Sequence, residues 1–139
     1  MIVLDTNVIS ELANPKPAQQ VVDWLDRQDP NQIFVTAITV AELLYGLARM
    51  PSGQRRATLA LKVEALLTDL FDRHTLEFTG RAAVEFAKLV HMRTRQGLPI
   101  EPMDAQIAAI CRCHCASLAT RNSRDFTKIG IELIDPWAE

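Results

Sequence analysis

Asp5 follows directly on the apolar run Ile2-Val3-Leu4, and three further acids, Glu42, Asp104 and Asp125, occupy comparable places. Each falls where a β-forming stretch gives way to a helix, or in a helix's first turn. In a parallel sheet the carboxyl ends of the strands point the same way, so these acids are expected on one rim. Carboxylates held close together resist joint ionisation. A hard divalent cation relieves that conflict, and magnesium typically takes one or two carboxylates and keeps waters or phosphate oxygens in its other positions. Each acid also has a purely structural explanation. Asp5 or Thr6 can cap the helix that follows, worth about 1 kcal/mol. Thr39-Val40-Ala41-Glu42 fits the capping box. Asp104, shortly after Pro102, complements a helix dipole by roughly 0.3–1 kcal/mol, and Asn122-Ser123-Arg124-Asp125 reads as another cap. What favours chemistry is the expected arrival of all four at one edge.

The elements that would position them follow from the pattern. Ile2-Val3-Leu4 reads as a buried parallel strand, and Val8-Ile9-Ser10-Glu11-Leu12 takes up a helical spacing. Asn14-Pro15-Lys16-Pro17 is a turn, with Pro17 expected in the first turn of a helix carrying Val21, Val22 and Leu25. Asp29-Pro30-Asn31 stops that helix, and Ile33-Phe34-Val35 is the second strand. Apolar positions 40, 43, 44 and 47 then recur at helical spacing. After Pro51-Ser52-Gly53 comes a long amphipathic helix with Leu59, Val63, Leu66, Leu67 and Leu70 on one face. Together they predict a helical hairpin around 40–71.

Thr75 to Phe78 is a weaker strand, and Thr79 opens a helix with Ala83, Phe86, Ala87 and Val90 inward, ended by Gln96-Gly97-Leu98-Pro99. Pro102-Met103-Asp104 starts another helix, with Ile107, Ile110 and Cys111 on its inner face. Ser117 to Thr120 and Ile131 to Ile134 are the last strands, separated by the polar turn Arg121 to Asp125. Strands alternating with helices predict an α/β sandwich on a mostly parallel sheet of four to five strands.

Bulk properties narrow the function classes. At 139 residues the length is that of one domain with a real core. A net charge of −2 excludes a generally basic nucleic-acid coat but leaves room for nucleic acid bound through a local patch or a metal. No apolar run approaches the roughly 20 residues that span a bilayer. No basic leader region precedes the first strand, so a cytoplasmic protein is expected. Cys111, Cys113 and Cys115 are a poor disulfide framework. Zinc is disfavoured because helical geometry puts 111 and 115 on one face and 113 elsewhere. His74, His91 and His114 lie outside the acid-bearing turns and read as surface or core residues.

The chain resembles the PIN-domain ribonucleases, and among them the VapC-type toxins of type II toxin–antitoxin pairs. The resemblance covers the whole length. It is carried by Ile2-Val3-Leu4-Asp5-Thr6-Asn7-Val8-Ile9-Ser10-Glu11, by Ala37-Ile38-Thr39-Val40-Ala41-Glu42-Leu43, by Asp104-Ala105-Gln106-Ile107-Ala108-Ala109, and by Leu118-Ala119-Thr120-Arg121-Asn122 through to Asp125-Phe126. It implies a PIN-like three-layer sandwich over residues 1–139 and a Mg2+- or Mn2+-dependent endoribonuclease that leaves a 5′-phosphate and a 3′-hydroxyl. The family's acidic motif maps onto Asp5, Glu42 and Asp104, with Asp5 and Asp104 holding the metal and Glu42 reaching it directly or through water. The family's fourth acid follows the Thr-Arg pair, where this chain has Asn122. Asp125, further along, is the candidate to supply that charge.

Thr6, Asn7 and Thr120 are then placed to orient carboxylates and waters, and Arg121 and Arg124 are phosphate-contact candidates. The resemblance further implies an RNA substrate and a cognate VapB-like antitoxin whose arginine enters the acidic groove. Operator DNA is expected to bind only through the toxin–antitoxin complex. A homodimer is expected through the 40–71 hairpin or the Trp137 end. Two other readings exist. A PIN-fold binding module that has lost its chemistry is favoured only by Asn122. A phosphotransfer receiver would pair its acids with a late-loop lysine, where this chain offers Arg121 and Arg124 with Lys128 further on.

Overall fold

The structure, a computed structural model, describes the backbone of residues 1–139 and the side chains of all but 71–73. In chain order it runs β1 (Ile2–Leu4), α1 (Thr6–Leu12), α2 (Gln19–Asp26), a 3-10 turn (Pro30–Gln32), β2 (Ile33–Thr36), α3 (Ala37–Arg49), α4 (Gln54–His74), β3 (Thr75–Leu76), α5 (Gly80–Arg95), α6 (Pro102–His114), β4 (Ser117–Ala119), a second 3-10 turn (Ser123–Phe126) and β5 (Leu133–Ile134). The five strands form one sheet in the order β3-β2-β1-β4-β5, and every neighbouring pair is parallel. The chain therefore builds outward from β1 to β3, then returns to the other side of β1 and builds outward again. The order reverses between β1 and β4, where Leu4 pairs with Ala119. Open α/β sheets leave a crevice at such a reversal, outside the carboxyl ends of the strands.

Alternation along β1 divides the core. Val3 packs with Leu89, Ile107, Ile110, Leu118 and Phe126, on the α5 and α6 side. Leu4 packs with Val8, Ile9, Trp24, Leu43, Val63 and Leu67, on the α1 and α4 side. Successive strand residues face opposite ways, so a three-residue strand supplies both layers. Val3 and Leu4 are at most 1% exposed. Truncating Leu4 to alanine is expected to cost about 2–5 kcal/mol.

The expected hairpin is present as α3 and α4, beginning at Ala37 rather than 40. Its predicted end at 71 falls where side chains are not described. Several local expectations are corrected. The α3 cap is Thr36, whose side chain accepts from the Thr39 N–H at 3.1 Å, so Thr39 and Glu42 do not form a capping box. Leu44 lies off the buried stripe of α3, at 50% exposed. The buried face of α5 is Ala82, Leu89 and Arg93, whereas Ala83 and Ala87 are exposed; Phe86 and Val90 sit at its edge. Pro17 precedes the α2 cap, Ala18, instead of entering the helix. β3 and β5 are two residues each, shorter than their apolar runs suggested. Cys115 leaves α6 as its left-handed cap, with φ of 49°, so it does not share a helix face with Cys111.

Candidate active site

Asp5 caps α1 from the end of β1. Its own N–H reaches across the strand-order reversal to the Ala119 carbonyl at 2.9 Å. The side chain is 5% exposed and accepts from the Thr6 N–H at 2.8 Å, Thr120 Oγ1 at 2.7 Å and Asn7 Nδ2 at 3.3 Å. Burial pushes its pKa up, the bonds from Thr120 and Thr6 pull it back, and the charge of Asp125 raises it further. Thr120 Oγ1 also accepts from the Asn122 N–H at 3.0 Å and from Asn7 Nδ2 at 3.3 Å. Asn7 Oδ1 in turn accepts from the Arg121 N–H at 3.3 Å. Asn7 and Thr120 thus tie the turn after β4 to the start of α1, with Asp5 between them.

Glu42 sits in the second turn of α3, where Thr6 Oγ1 donates to its Oε1 at 2.9 Å. Behind that bond the hydroxyls of Thr6, Thr39 and Thr36 lie 3.3–3.4 Å apart in sequence. Its pKa is raised by burial, lowered by Thr6 and raised by Asp5. With the capping-box explanation gone, the side chain of Glu42 faces another carboxylate instead of its own helix terminus.

Asp104 lies in the first turn of α6. Its pKa is pushed up to about 6, first by burial and then by the charges of Asp5, Glu42, Asp125 and Glu101. These influences identify a cluster of acids in mutual electrostatic range. Asp5, Glu42, Asp104 and Asn122 line one cavity of about 420 Å³ together with Thr6, Asn7 and Arg121. Asp125, exposed on the second 3-10 turn, lines with Asp104 an adjoining cavity of about 280 Å³. Arg124 is exposed on that turn and lines neither cavity.

The donor set is all oxygen, the preference of a hard divalent cation. Among the described residues no three acidic, histidine or cysteine side chains are closed into a ready-made metal cage. An arrangement in which one or two carboxylates bind directly and the rest act through waters suits magnesium's habit. Histidine and cysteine play other parts. His74 donates from Nδ1 to the Ile33 carbonyl at 2.6 Å and stacks on Phe34. Burial pushes the Cys111 thiol up to about 12, leaving it a packing group.

Three residues around the site escaped the sequence reading. Glu11 lines the acidic cavity and accepts from the Ala18 N–H at 2.7 Å, which fixes the turn into α2. Trp137, expected only as interface surface, lines the same cavity with the Arg121 guanidinium over its ring, 5.2 Å from the centroid. Arg93 is 4% exposed and donates from Nε to the Leu98 carbonyl at 2.6 Å and from Nη1 to the Thr127 carbonyl at 2.8 Å. It thereby joins the segment leading to Asp104 with the segment leaving Asp125. The available signal was its place in the helical repeat of 82, 86, 89 and 93, an arginine where the period calls for an apolar residue.

Comparison with known proteins gives a consistent neighbourhood. The PIN domain family model matches residues 2–132. The VapC ribonuclease Y4jK of Sinorhizobium fredii is 39% identical over 137 residues, covering 99% of this chain and 98% of that protein. Toxin FitB of Neisseria gonorrhoeae is 35% identical over 137 residues, covering 99% of each. A solved structure of FitAB bound to an IR36 DNA fragment superposes with a TM-score of 0.90 at 34% identity, covering 99% of this chain and 96% of that one.

Proposed function

The chain belongs to the PIN-domain family, and from that premise we propose that it is a metal-dependent endoribonuclease, the toxin of a toxin–antitoxin pair. We read residues 1–139 as one such domain. The observation that carries the reading is the meeting of Asp5, Glu42 and Asp104, far apart in sequence, at one cavity, where burial first and the charges of neighbouring acids second raise their pKa values. A scaffold without chemistry has no use for such a concentration of negative charge.

Asp5, Asp104 and Glu42 would hold Mg2+ or Mn2+, with Asp125 or Asn122 completing the set. When bound, the cation lowers the pKa of a water and neutralises charge on the phosphate's non-bridging oxygens. The chain supplies the rest. Thr120, Asn7 and the Thr6 N–H fix the Asp5 carboxylate in one orientation, and the Thr6 hydroxyl fixes Glu42. Arg121, which lines the same cavity, is placed to take phosphate oxygens that the acids would otherwise repel. The RNA target is unpaired or looped, since an open rim reads exposed strands in preference to duplex.

The partner reading rests on a second cavity. Leu43, Leu47, Met50, Leu59 and Val63 of the hairpin line an apolar groove of about 420 Å³ whose mouth includes Glu42. An antitoxin segment that fills it with apolar side chains would bring a cationic residue to the acids. The relative solved as FitAB on DNA supports operator binding by the toxin–antitoxin complex. The hairpin also exposes Tyr45 and Leu61 at 65% and 69%, apolar surface suited to a homodimer. No helix among the described residues is long and apolar enough to cross a membrane.

The test is incubation of the purified chain with total RNA, with Mg2+ and with chelator, beside Asp104→Asn. Cleavage by the unaltered chain with Mg2+ alone is expected. Cleavage in chelator, or cleavage surviving Asp104→Asn, overturns the proposal.

A further inference from the structure

Arg121 is the only cationic side chain among the described residues lining the acidic cavity, where Asp5, Glu11, Glu42 and Asp104 stand against it. It makes no ion pair with any of them among the described residues. Its guanidinium instead lies over Trp137, the sole aromatic side chain in that lining. The Trp137 backbone N–H donates to Asp135 Oδ1 at 3.0 Å, and the side chain packs on the hydrophobic cluster of α1 and α4. Trp137 is therefore a packed platform, and the Arg121 guanidinium is the layer above it. A cation held over an indole face is stabilised by the ring quadrupole while keeping its N–H edge free. This combination of a flat π-surface and a charge is how unpaired nucleic acid is seated: bases stack on aromatic or guanidinium planes, and phosphates meet the cation.

We propose that the Arg121–Trp137 pair is a nucleoside subsite on the wall of the acidic cavity, seating one unpaired base of the RNA beside the phosphate to be cut. The inference rests on the nuclease reading above but concerns binding, so the two fail separately. The cavity, at about 420 Å³, is of the size class that takes a small-molecule or nucleotide ligand. Charge complementarity commits the occupant. The acids repel a polyanion everywhere except near Arg121, so the strand's register is set from that wall.

The test uses the full chain carrying Asp104→Asn, with Mg2+, and a short single-stranded RNA beside the same strand made abasic throughout. Stacking on aromatic groups predicts that Trp137→Leu, which keeps an apolar side chain, weakens binding of the normal strand about tenfold. Trp137→Phe should restore most of it, and neither should change binding of the abasic strand. In the otherwise unaltered chain, Trp137→Leu should raise KM with kcat within about twofold, and Arg121→Ala should raise KM as well. Emission gives an independent readout. The chain has two tryptophans, and Trp24 is 4% exposed, so an emission change on adding the normal strand reports Trp137. Equal rescue by Leu and Phe, equal losses on the abasic strand, or unchanged emission overturns the subsite. An effect confined to association with an arginine-bearing peptide also overturns it, because the pair would then serve a protein partner. Cleavage persisting in Asp104→Asn sinks the nuclease reading without touching these binding results.

Discussion

Thr120 Oγ1 donates to Asp5 Oδ2 at 2.7 Å across 115 residues of chain, joining the ends of β4 and β1 where the strand order reverses. Both residues are buried, and the Asp5 carboxylate has Asn7 and the Thr6 N–H as its other partners. Thr120→Val keeps the shape of the side chain and removes the donor. Loss of an orienting partner of this kind costs about 10–100-fold in metal affinity or activity. We expect that loss in Mg2+-dependent cleavage, with a drop in unfolding free energy of about 1–3 kcal/mol from the under-bonded buried acid. Cleavage rates titrated with Mg2+, beside urea unfolding, measure both. Unchanged Mg2+ dependence would leave Thr120 a structural group alone.

The raised pKa of Asp104, at about 6, gives a pH dependence of defined sign. The folded, metal-free protein holds a proton that the unfolded chain has already released. Such a group supports the fold fully below its unfolded value near 3.8 and loses that support as pH rises through about 6. Asp5 and Glu42 are raised in the same direction. The metal-free protein should therefore be less stable at about pH 7 than at about pH 5, by an amount on the order of 1 kcal/mol once solvent screening is allowed for. Mg2+ should stabilise more at the higher pH, because ligands bind deprotonated. Asp104→Asn should flatten both trends. Denaturant unfolding at the two pH values, with chelator or Mg2+, decides it; a metal-free protein that gains stability over that range contradicts the clustering of the acids.

The parallel sheet and the acid rim were legible because both follow from long-range rules; the strand order β3-β2-β1-β4-β5 was not. Apolar runs became strands, and the acids after them came to one edge, as parallel strands require. Phase and local geometry were not legible either. Thr36 and Thr39 are both competent caps, and the hydrogen bond from the Thr39 N–H to Thr36 Oγ1 selects the earlier one. That choice moved Glu42 out of a helix-terminal role. The inner face of α5 was misjudged because its phase was set from Ala83 and Ala87, whereas the buried stripe runs through Ala82, Leu89 and Arg93, and two carbonyls from different loops hold that arginine inside. The Arg121–Trp137 contact joins the turn after β4 to the chain's end, a pairing no periodicity encodes.

The departure at Asn122 sets a third expectation. Asn122 lines the cavity of Asp5 and Asp104, whereas Asp125 acts on both from the adjoining one. Asp125→Asn should lower the affinity for Mg2+ about tenfold, within the range for groups that support a metal site from outside. Adding Asn122→Asp to that variant should return the affinity to within a few-fold of the starting chain, because an acid then enters the cavity itself. Mn2+ titration by calorimetry on the single and double variants tests this. An unaltered affinity in Asp125→Asn assigns the fourth position to Asn122, whose carbonyl oxygen can ligate without charge.

Thr6 and Glu42 offer a double-mutant cycle that separates holding the fold from holding the metal. Their 2.9 Å bond ties α1 to α3, and burial together with the charge of Asp5 raises the pKa of Glu42. If Glu42 serves stability alone, Thr6→Val and Glu42→Gln should couple in urea unfolding and leave Mg2+-dependent cleavage nearly intact. The site as argued predicts otherwise. Contacting residues couple by about 0.5–3 kcal/mol, and coupling of that size is expected in unfolding. Glu42→Gln should in addition reduce cleavage by at least about tenfold, while Thr6→Val, which leaves the carboxylate in place but unoriented, should reduce it less and be offset by higher Mg2+. The offset is the informative part, because a carboxylate that has lost only its orienting hydroxyl still has its charge to offer a cation, and a glutamine has none.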